Sequence, residues 1–96
     1  NPGVTLGKAL ATKTKFTDTI VVLSPDYWQW YEVFTRYYAD RNVYAGDKVT
    51  KEMLSGVNYV VIPKNYNQLP KEETAILYAH YPHAEAGGAT IFTIKK

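Results

Sequence analysis

The chain has 96 residues, of which 46% are hydrophobic, 15% aromatic and 21% charged, and its formal net charge is +2. This length allows one small domain with a single core and excludes two domains. Both signs of charge are spread along the chain without a basic stripe, so nucleic acid is not expected as a partner. Because cysteine is absent, disulfides and thiolate zinc sites are excluded.

The N-terminal segment Asn1–Lys15 is expected to form a short helix. Pro2 suits the first helical position, and Leu6 and Leu10 recur at helical spacing. The segment carries three lysines, at Lys8, Lys13 and Lys15. These lysines are expected to lie on a solvated helix face, and the alternative is a basic segment next to a membrane.

The segment that follows predicts a strand and then an aromatic helix. Thr19–Leu23 is an apolar, mostly β-branched run, which is typical of a strand buried on both faces. Ser24 suits a helix N-cap and Asp26 the first helical turn, where the helix dipole favours a negative charge. The rings that recur at helical spacing and are expected to pack on the sheet are Tyr27, Trp30, Tyr31, Phe34, Tyr37 and Tyr38. A strand, a tight turn and an amphipathic helix form the first half of a βαβ unit.

The middle of the chain predicts two more strands and a short helix. Asn42–Ala45 is a short extended segment, and Asn58–Ile62 is a second continuous apolar run. Between them, Thr50 can cap a single helical turn over Lys51–Ser55. Gly56 follows where a glycine commonly ends a helix.

The C-terminal part predicts a helix, a turn and a last strand. Pro70 opens the helix and Pro82 stops it. Its buried side is expected to come from Ile76, Leu77 and the ring of Tyr78 or His80. Glu85–Ala89 is expected to turn the chain, and Thr90–Ile94 alternates as a half-exposed edge or last strand does.

This order of elements predicts a single α/β domain over residues 1–96. We expect a small three-layer domain, with a mostly parallel sheet of about four strands and helices on its faces. The two apolar runs, Ile20–Leu23 and Tyr59–Ile62, should lie side by side in the same direction. The last strand, which follows Gly87 and Gly88, can run antiparallel.

Ligands of open α/β sheets usually bind beyond the carboxyl ends of the strands. The residues expected at this rim are Ser24, Asp26, Tyr27, Tyr44, Lys64, Asn65 and Tyr66. Ser24 and Asp26 could present backbone N–H groups to an anion. However, no Gly-rich loop lets a phosphate approach closely, and helix capping alone explains both residues.

The two tryptophans give the clearest hint of a functional surface. Trp28 and Trp30 lie about 200° apart around the predicted helix, so both cannot face the same core. An exposed Trp28, together with Tyr27 or Tyr37, could stack on a sugar, cover a neighbouring domain or meet a membrane interface.

The sequence assigns no catalytic, cofactor-binding or metal-ligating residue. His80 and His83 form a His-x-x-His pair, but Pro82 breaks the helical turn between them, which favours surface histidines. Neither of the two serines, Ser24 and Ser55, lies in a Gly-x-Ser-x-Gly elbow. A small enzyme is therefore the least favoured interpretation.

Four segments together resemble a known family: Leu10–Leu23, Phe34–Val43, Asn58–Pro63 and Gly87–Ile94. They are similar to the soluble C-terminal extracytoplasmic domain of polytopic glycosyltransferases, the relatives of dolichyl-phosphate-mannose protein mannosyltransferase and of the aminoarabinose transferase. The resemblance implies that the chain is a fragment of a longer membrane protein. The multi-span part of that protein would bind a polyprenyl-phosphate sugar donor and carry the catalytic acid.

The resemblance further implies that this domain is inactive by itself and lies on the extracytoplasmic face of a cell membrane. It would cover the active site or position substrate there, without a cofactor, and its partners would be the transmembrane part of the same polypeptide and a glycan or lipid-linked sugar. The candidate substrate or interface contacts are Trp28, Tyr27, Tyr37, Ser24 and Asp26. The alternative is a freestanding binding or structural module with an amidotransferase-like or flavodoxin-like shape and no catalytic activity.

Overall fold

The structure is a computed structural model that describes residues 2–23, 35–64 and 69–95. In chain order the elements are α1 (Pro2–Lys13), β1 (Thr19–Leu23), β2 (Asn42–Gly46), α2 (Lys51–Gly56), β3 (Tyr59–Pro63), α3 (Lys71–His80), β4 (His83–Ala86) and β5 (Ala89–Thr93). A helical segment at 35–39 precedes β2. The predicted start of the aromatic helix at Ser24 lies outside the described residues.

The strands form one mixed sheet in the order β2-β1-β3-β5-β4. β1 pairs in parallel with β2 on one side and with β3 on the other, where Val21 lies opposite Val60. β5 pairs antiparallel with both β3 and β4. The predicted parallel neighbours β1 and β3 and the antiparallel last strand are therefore confirmed. The prediction of a mostly parallel sheet of about four strands is wrong, because the sheet has five strands and is mixed.

The strand that the sequence did not predict is β4, which forms a hairpin with β5. The turn consists of Gly87 and Gly88, whose φ angles of 61° and 76° are both positive, as a tight two-residue hairpin turn requires. Glu85 and Ala89, which were expected in the turn, belong to the strands. As a result β5 is an interior strand rather than an edge strand, and Phe92 in it is fully buried.

Apolar side chains of the central strands alternate between two core clusters, one on each face of the sheet. The cluster on the first face, which we call the α1 face, contains Leu6, Leu10, Ile20, Val22, Ala39, Val43, Val61, Ala89 and Ile91. The cluster on the other face, which we call the α3 face, contains Val21, Leu23, Val57, Val60, Leu77 and Phe92, with Met53 and Leu54 of α2 packed against it. Because helices cover both faces, the domain has three layers.

The helices confirm some of the predicted details and correct others. Leu6 and Leu10 are buried as expected, and the Thr50 hydroxyl caps α2 by accepting a hydrogen bond from the Met53 N–H at 3.1 Å. In α3, Leu77 is buried, whereas Ile76 is 45% exposed. The prediction that Ile76 packs on the sheet is wrong, because only one of the adjacent apolar positions on this short helix can face the strands.

The predicted aromatic stripe is also wrong where it can be compared with the structure. Tyr37 and Tyr38 are 74% and 40% exposed. Thr35 and Ala39 face the core instead. Thr35 and Ala39 are four residues apart, so they share one helix face, and Tyr37 and Tyr38 lie on other sides of the helix. The other predicted rings of the stripe, from Tyr27 to Phe34, lie outside the described residues.

Asn58 connects the three central strands where β1 and β3 begin. Its N–H donates to the Thr19 carbonyl at 2.8 Å, and its side-chain oxygen accepts from the Thr19 N–H at 2.9 Å. Its own carbonyl accepts the Ile94 N–H at 2.8 Å just after β5. Asn58 thus provides hydrogen-bond partners for backbone groups at the ends of the three central strands.

Gly7 allows α1 to pack closely on the helical segment 35–39. A Cβ atom at Gly7 would lie 2.8 Å from both the Thr35 carbonyl oxygen and the Tyr38 Cβ, and 3.1 Å from the Ala39 nitrogen. These neighbours are backbone atoms or the first atom of a side chain, so they cannot rotate away. The two helices therefore depend on the absence of a side chain at this position.

We predict that Gly7→Ala lowers the free energy of unfolding by about 1–3 kcal/mol, the usual cost of overpacking. Alanine is intrinsically better than glycine in a helix by about 1 kcal/mol, so the loss would appear despite a favourable propensity change. Gly56→Ala in α2 is the matched control, because a Cβ at that position meets nothing within 4 Å. Urea unfolding followed by circular dichroism measures both variants, and equal stabilities would contradict the close packing.

Candidate functional site

A pocket of about 290 Å³ opens at the carboxyl end of β3, between the strands and α3. Its lining residues are Ile62, Pro63, Lys64, Leu69, Thr74, Tyr78 and Thr90. The carboxyl ends of parallel strands are where open α/β sheets usually bind their ligands. Its volume lies near the lower end of the range of roughly 300–1,000 Å³ found for small-molecule sites, so it suits one small ligand.

Backbone pairing and helix contacts position the walls of this pocket. Ile62 on β3 is paired with Thr90 on β5. The Lys64 N–H donates to the Gly88 carbonyl at 2.9 Å, which ties the end of β3 to the β4–β5 turn. On α3, the Thr74 hydroxyl donates to the Pro70 carbonyl at 3.4 Å.

The Tyr78 ring is held by two aromatic neighbours. It packs edge-on against Phe92 with ring centroids 5.0 Å apart and against His83 at 4.8 Å. Such edge-to-face arrangements are the favoured geometry for aromatic pairs. Tyr78 remains 49% exposed, so the ring is both oriented by the core and accessible to a ligand.

Among the described lining residues, Lys64 supplies an amine, and Thr74, Tyr78 and Thr90 each supply a hydroxyl. The lining residues include no carboxylate and no imidazole, so the described walls do not supply the acid–base pair that hydrolysis or proton transfer needs. What they supply is hydrogen bonding, an aromatic edge and one positive charge. This combination can bind a polyhydroxylated or phosphorylated small molecule.

The structure brings only part of the predicted rim to this pocket. Lys64 lines it as expected, whereas Tyr44 projects from β2 at the sheet edge and is 53% exposed. The rim residues that lie outside the described residues are Ser24, Asp26, Tyr27, Asn65 and Tyr66. Trp28 lies outside them too. Tyr37 is exposed, but it belongs to the helical segment that covers the α1 face, away from the pocket.

The pocket residues that sequence reasoning missed come from α3 and β5. Thr74 and Tyr78 are four residues apart, so they occupy one face of the helix beside Leu77. That spacing is visible in the sequence, but the sequence prediction that the ring of Tyr78 or His80 lies on the buried side is wrong, because both side chains are exposed. Thr90 follows the Gly87-Gly88 turn, and its position opposite Ile62 depends on the hairpin that was not predicted.

The two histidines contact different neighbours. His83, at the start of β4, packs against Tyr78 and Phe92, whereas the His80 ring faces Tyr81 with centroids 6.5 Å apart. Within residues 2–23, 35–64 and 69–95, no group of three or more acidic or histidine side chains is arranged to hold a metal ion.

Tyr59 is the titratable group whose surroundings change its acidity most clearly in the described part of the chain. Burial raises the pKa of Tyr59 above its ordinary value of 10.0, and the nearby Asp18 carboxylate raises this pKa further. Asp18 is itself buried, and its carboxylate accepts the Lys15 N–H at 2.8 Å. Tyr59 begins β3, whereas the pocket lies at the carboxyl end of that strand, so the two lie at opposite ends of β3.

Comparisons with protein-family models, with curated proteins and with solved structures find no match. The resemblance to extracytoplasmic domains of glycosyltransferases therefore stays a prediction. Among the helices that the structure describes, none combines the length and apolar character needed to cross a bilayer.

We predict that the free energy of unfolding falls as the pH rises above 10, partly because of Tyr59. The folded state holds the Tyr59 proton more tightly than the unfolded chain does, so its contribution to stability is complete below pH 10 and is lost above it. Urea unfolding at pH 9 and at pH 11 should therefore show a smaller difference for Tyr59→Phe than for the wild type. Tyr44→Phe, which alters an exposed tyrosine, is the control. A Tyr59→Phe profile identical to that of the wild type would contradict the assignment.

Proposed function

We propose that this chain is a non-catalytic extracytoplasmic domain of a membrane glycosyltransferase that uses a polyprenyl-phosphate sugar donor, and that it helps to position substrate. Two independent features support the proposal. The first is the sequence resemblance over Leu10–Leu23, Phe34–Val43, Asn58–Pro63 and Gly87–Ile94. The second is a pocket whose described side chains suit a sugar phosphate and include no acid–base pair.

The composition of the pocket is the observation that carries the proposal. The exposed edge of Tyr78 can contact the C–H groups of a pyranose ring, and the hydroxyls of Thr74 and Thr90 can exchange hydrogen bonds with sugar hydroxyls. Lys64 adds a mobile positive charge at the rim, which is suited to a phosphate. The apolar side chains of Ile62 and Leu69 complete the described lining.

In this proposal the domain and the membrane part have different roles, because the described pocket residues can bind a ligand but supply no acid–base pair. The domain binds and orients the sugar phosphate or the acceptor glycan, and the transmembrane part of the same polypeptide carries out glycosyl transfer. Tyr27, Trp28 and Tyr37, together with Ser24 and Asp26, stay candidate contacts for substrate or for the membrane part.

A freestanding binding module is the second candidate function. The observation that favours it is that the described lining residues already combine hydroxyl groups, one positive charge and an aromatic edge. Such a module would bind its ligand as tightly in isolation as in any larger protein. A domain that only completes an active site would bind weakly by itself and strongly when joined to its membrane part.

We predict that mannose 1-phosphate shifts the amide resonances of Lys64, Thr74, Tyr78 and Thr90 in a ¹⁵N-labelled sample. Free mannose and inorganic phosphate should each shift a subset of these signals more weakly, because each offers only part of the ligand. Thr90→Val combined with Lys64→Gln should weaken the binding by at least tenfold, since each hydrogen bond to a charged group contributes about 1.5–3 kcal/mol.

The control variant is Thr93→Val combined with Lys71→Gln. Thr93 lies on the same strand as Thr90 but at the end of β5 away from the pocket. Lys71 is an exposed lysine of α3 that does not line the pocket. This variant should bind as the wild type does. Shifts that are absent from the pocket at saturating mannose 1-phosphate, or that are unchanged by the pocket variant, would overturn the proposed role of the pocket.

A further inference from the structure

The outer side of α1 and the helical segment 35–39 exposes rings and lysines together. Phe16, in the turn after α1, is 69% exposed, and Tyr37 and Tyr38 are 74% and 40% exposed. Lys8 and Lys15 are also exposed. We call these five residues the aromatic–lysine surface. A group of exposed rings next to charged side chains is typical of a surface that another molecule covers.

Direct contacts connect three members of this surface, Lys8, Tyr37 and Tyr38. The Tyr37 and Tyr38 rings pack edge-on with centroids 5.1 Å apart, and the Lys8 ammonium lies 5.9 Å from the centre of the Tyr38 ring. The close approach at Gly7 holds α1 against the backbone that carries Tyr38. The Tyr37 and Tyr38 rings and the Lys8 ammonium group therefore form one contacting group rather than three independent side chains.

Arg41 fixes the end of this surface that carries Phe16. Its guanidinium donates to the carbonyls of Ala11 and Thr14 at the end of α1, at 3.1 and 3.0 Å. It also donates to the carbonyls of Ala39 and Asp40 at 3.1 and 3.0 Å. A planar guanidinium suits this arrangement because it carries five fixed donors and complements the negative ends of two helix dipoles. The guanidinium carbon lies 6.0 Å from the centre of the Phe16 ring.

The exposed charges that the structure describes in this part of the chain are mostly positive. In segments 2–23 and 35–41 the exposed charged side chains are Lys8, Lys13, Lys15, Arg36 and Asp40. The other acid of these segments, Asp18, is buried, and its carboxylate accepts the Lys15 N–H. The exposed charge around the rings is therefore complementary to an anionic surface.

We propose that the aromatic–lysine surface docks on an anionic lipid bilayer. Phe16 and Tyr37 enter the headgroup region, where aromatic side chains are favoured, and Lys8 and Lys15 contact lipid phosphates with their ammonium groups. This proposal does not rest on the proposed function of the pocket, because the docking surface belongs to the helices of the α1 face and the pocket opens on the α3 face.

The test is sedimentation of the 96-residue chain with vesicles of phosphatidylcholine alone and of phosphatidylcholine with 30 mol% phosphatidylglycerol. We expect binding to the anionic vesicles and little to the neutral ones. Lys8→Gln combined with Lys15→Gln should weaken the partitioning by about 30-fold, because each basic residue near an anionic surface contributes roughly fivefold. Phe16→Ser combined with Tyr37→Ser should weaken it by at least tenfold.

The matched control replaces one exposed ring and two exposed lysines elsewhere, in the variant Tyr44→Ser, Lys48→Gln and Lys51→Gln. This variant should retain wild-type partitioning. The proposal is overturned if neutral vesicles bind equally well, if neither vesicle binds, or if the control weakens binding as much as the lysine variant. Binding that depends on the lysines but not on Phe16 and Tyr37 would also overturn it, because it would indicate unspecific charge attraction.

A second measurement on the wild-type chain avoids any loss of folding in the variants. Anionic vesicles that contain a headgroup spin-labelled lipid should broaden the amide signals of Phe16 and Tyr37 and leave those of Tyr44 and Lys48 sharp. Uniform broadening, or broadening centred on the pocket residues, would contradict the assigned surface.

Discussion

The parallel pairing of β1 with β3 is the constraint on which the other elements depend. Both strands lie inside the sheet, so their residues must be apolar on both faces, and each helix is stabilised by covering one of these faces. Asn58 supports the pairing at the end where both strands begin, because its backbone and its side chain bond Thr19 while its carbonyl accepts the Ile94 N–H just after β5. The carboxyl ends of β1 and β3 consequently lie side by side at the other end of these strands, which is where the pocket forms.

The elements that could be predicted from the sequence carry their own signal. A run of β-branched residues such as Thr19–Leu23 indicates an interior strand without reference to the rest of the chain, and the Thr50 cap is a local interaction. β4 has no such signal, because His83–Ala86 lacks β-branched residues and is a strand only through its pairing with β5. The Gly87-Gly88 pair was the available indication of a tight hairpin. The rotation of α3 about its axis depended on tertiary packing, since Leu77 faces the sheet through its contacts with the cluster that contains Val60 and Phe92.

The candidate site was less predictable than the fold, because most of its residues are brought together by tertiary packing rather than by a local sequence signal. Lys64 directly follows an apolar strand, so its place at the rim could be inferred, whereas Thr74, Tyr78 and Thr90 reach the pocket only because α3 and the hairpin pack there. The pocket and the aromatic–lysine surface belong to opposite layers of the domain. Pairing of β3 with β5 shapes the pocket, and Gly7 and Arg41 shape the aromatic–lysine surface. Under the two proposals, one layer docks on a bilayer while the other layer binds a sugar phosphate.

The pairing of β1 with β3 is tested most directly by nuclear Overhauser cross-peaks in a labelled sample of the chain. The account predicts cross-strand peaks between amide and Hα protons around Val21 and Val60, the pattern of parallel neighbours in this register. It also predicts Hα–Hα peaks between β3 and β5, which are characteristic of antiparallel neighbours. Hα–Hα peaks between β1 and β3, or no peaks between these two strands, would contradict it.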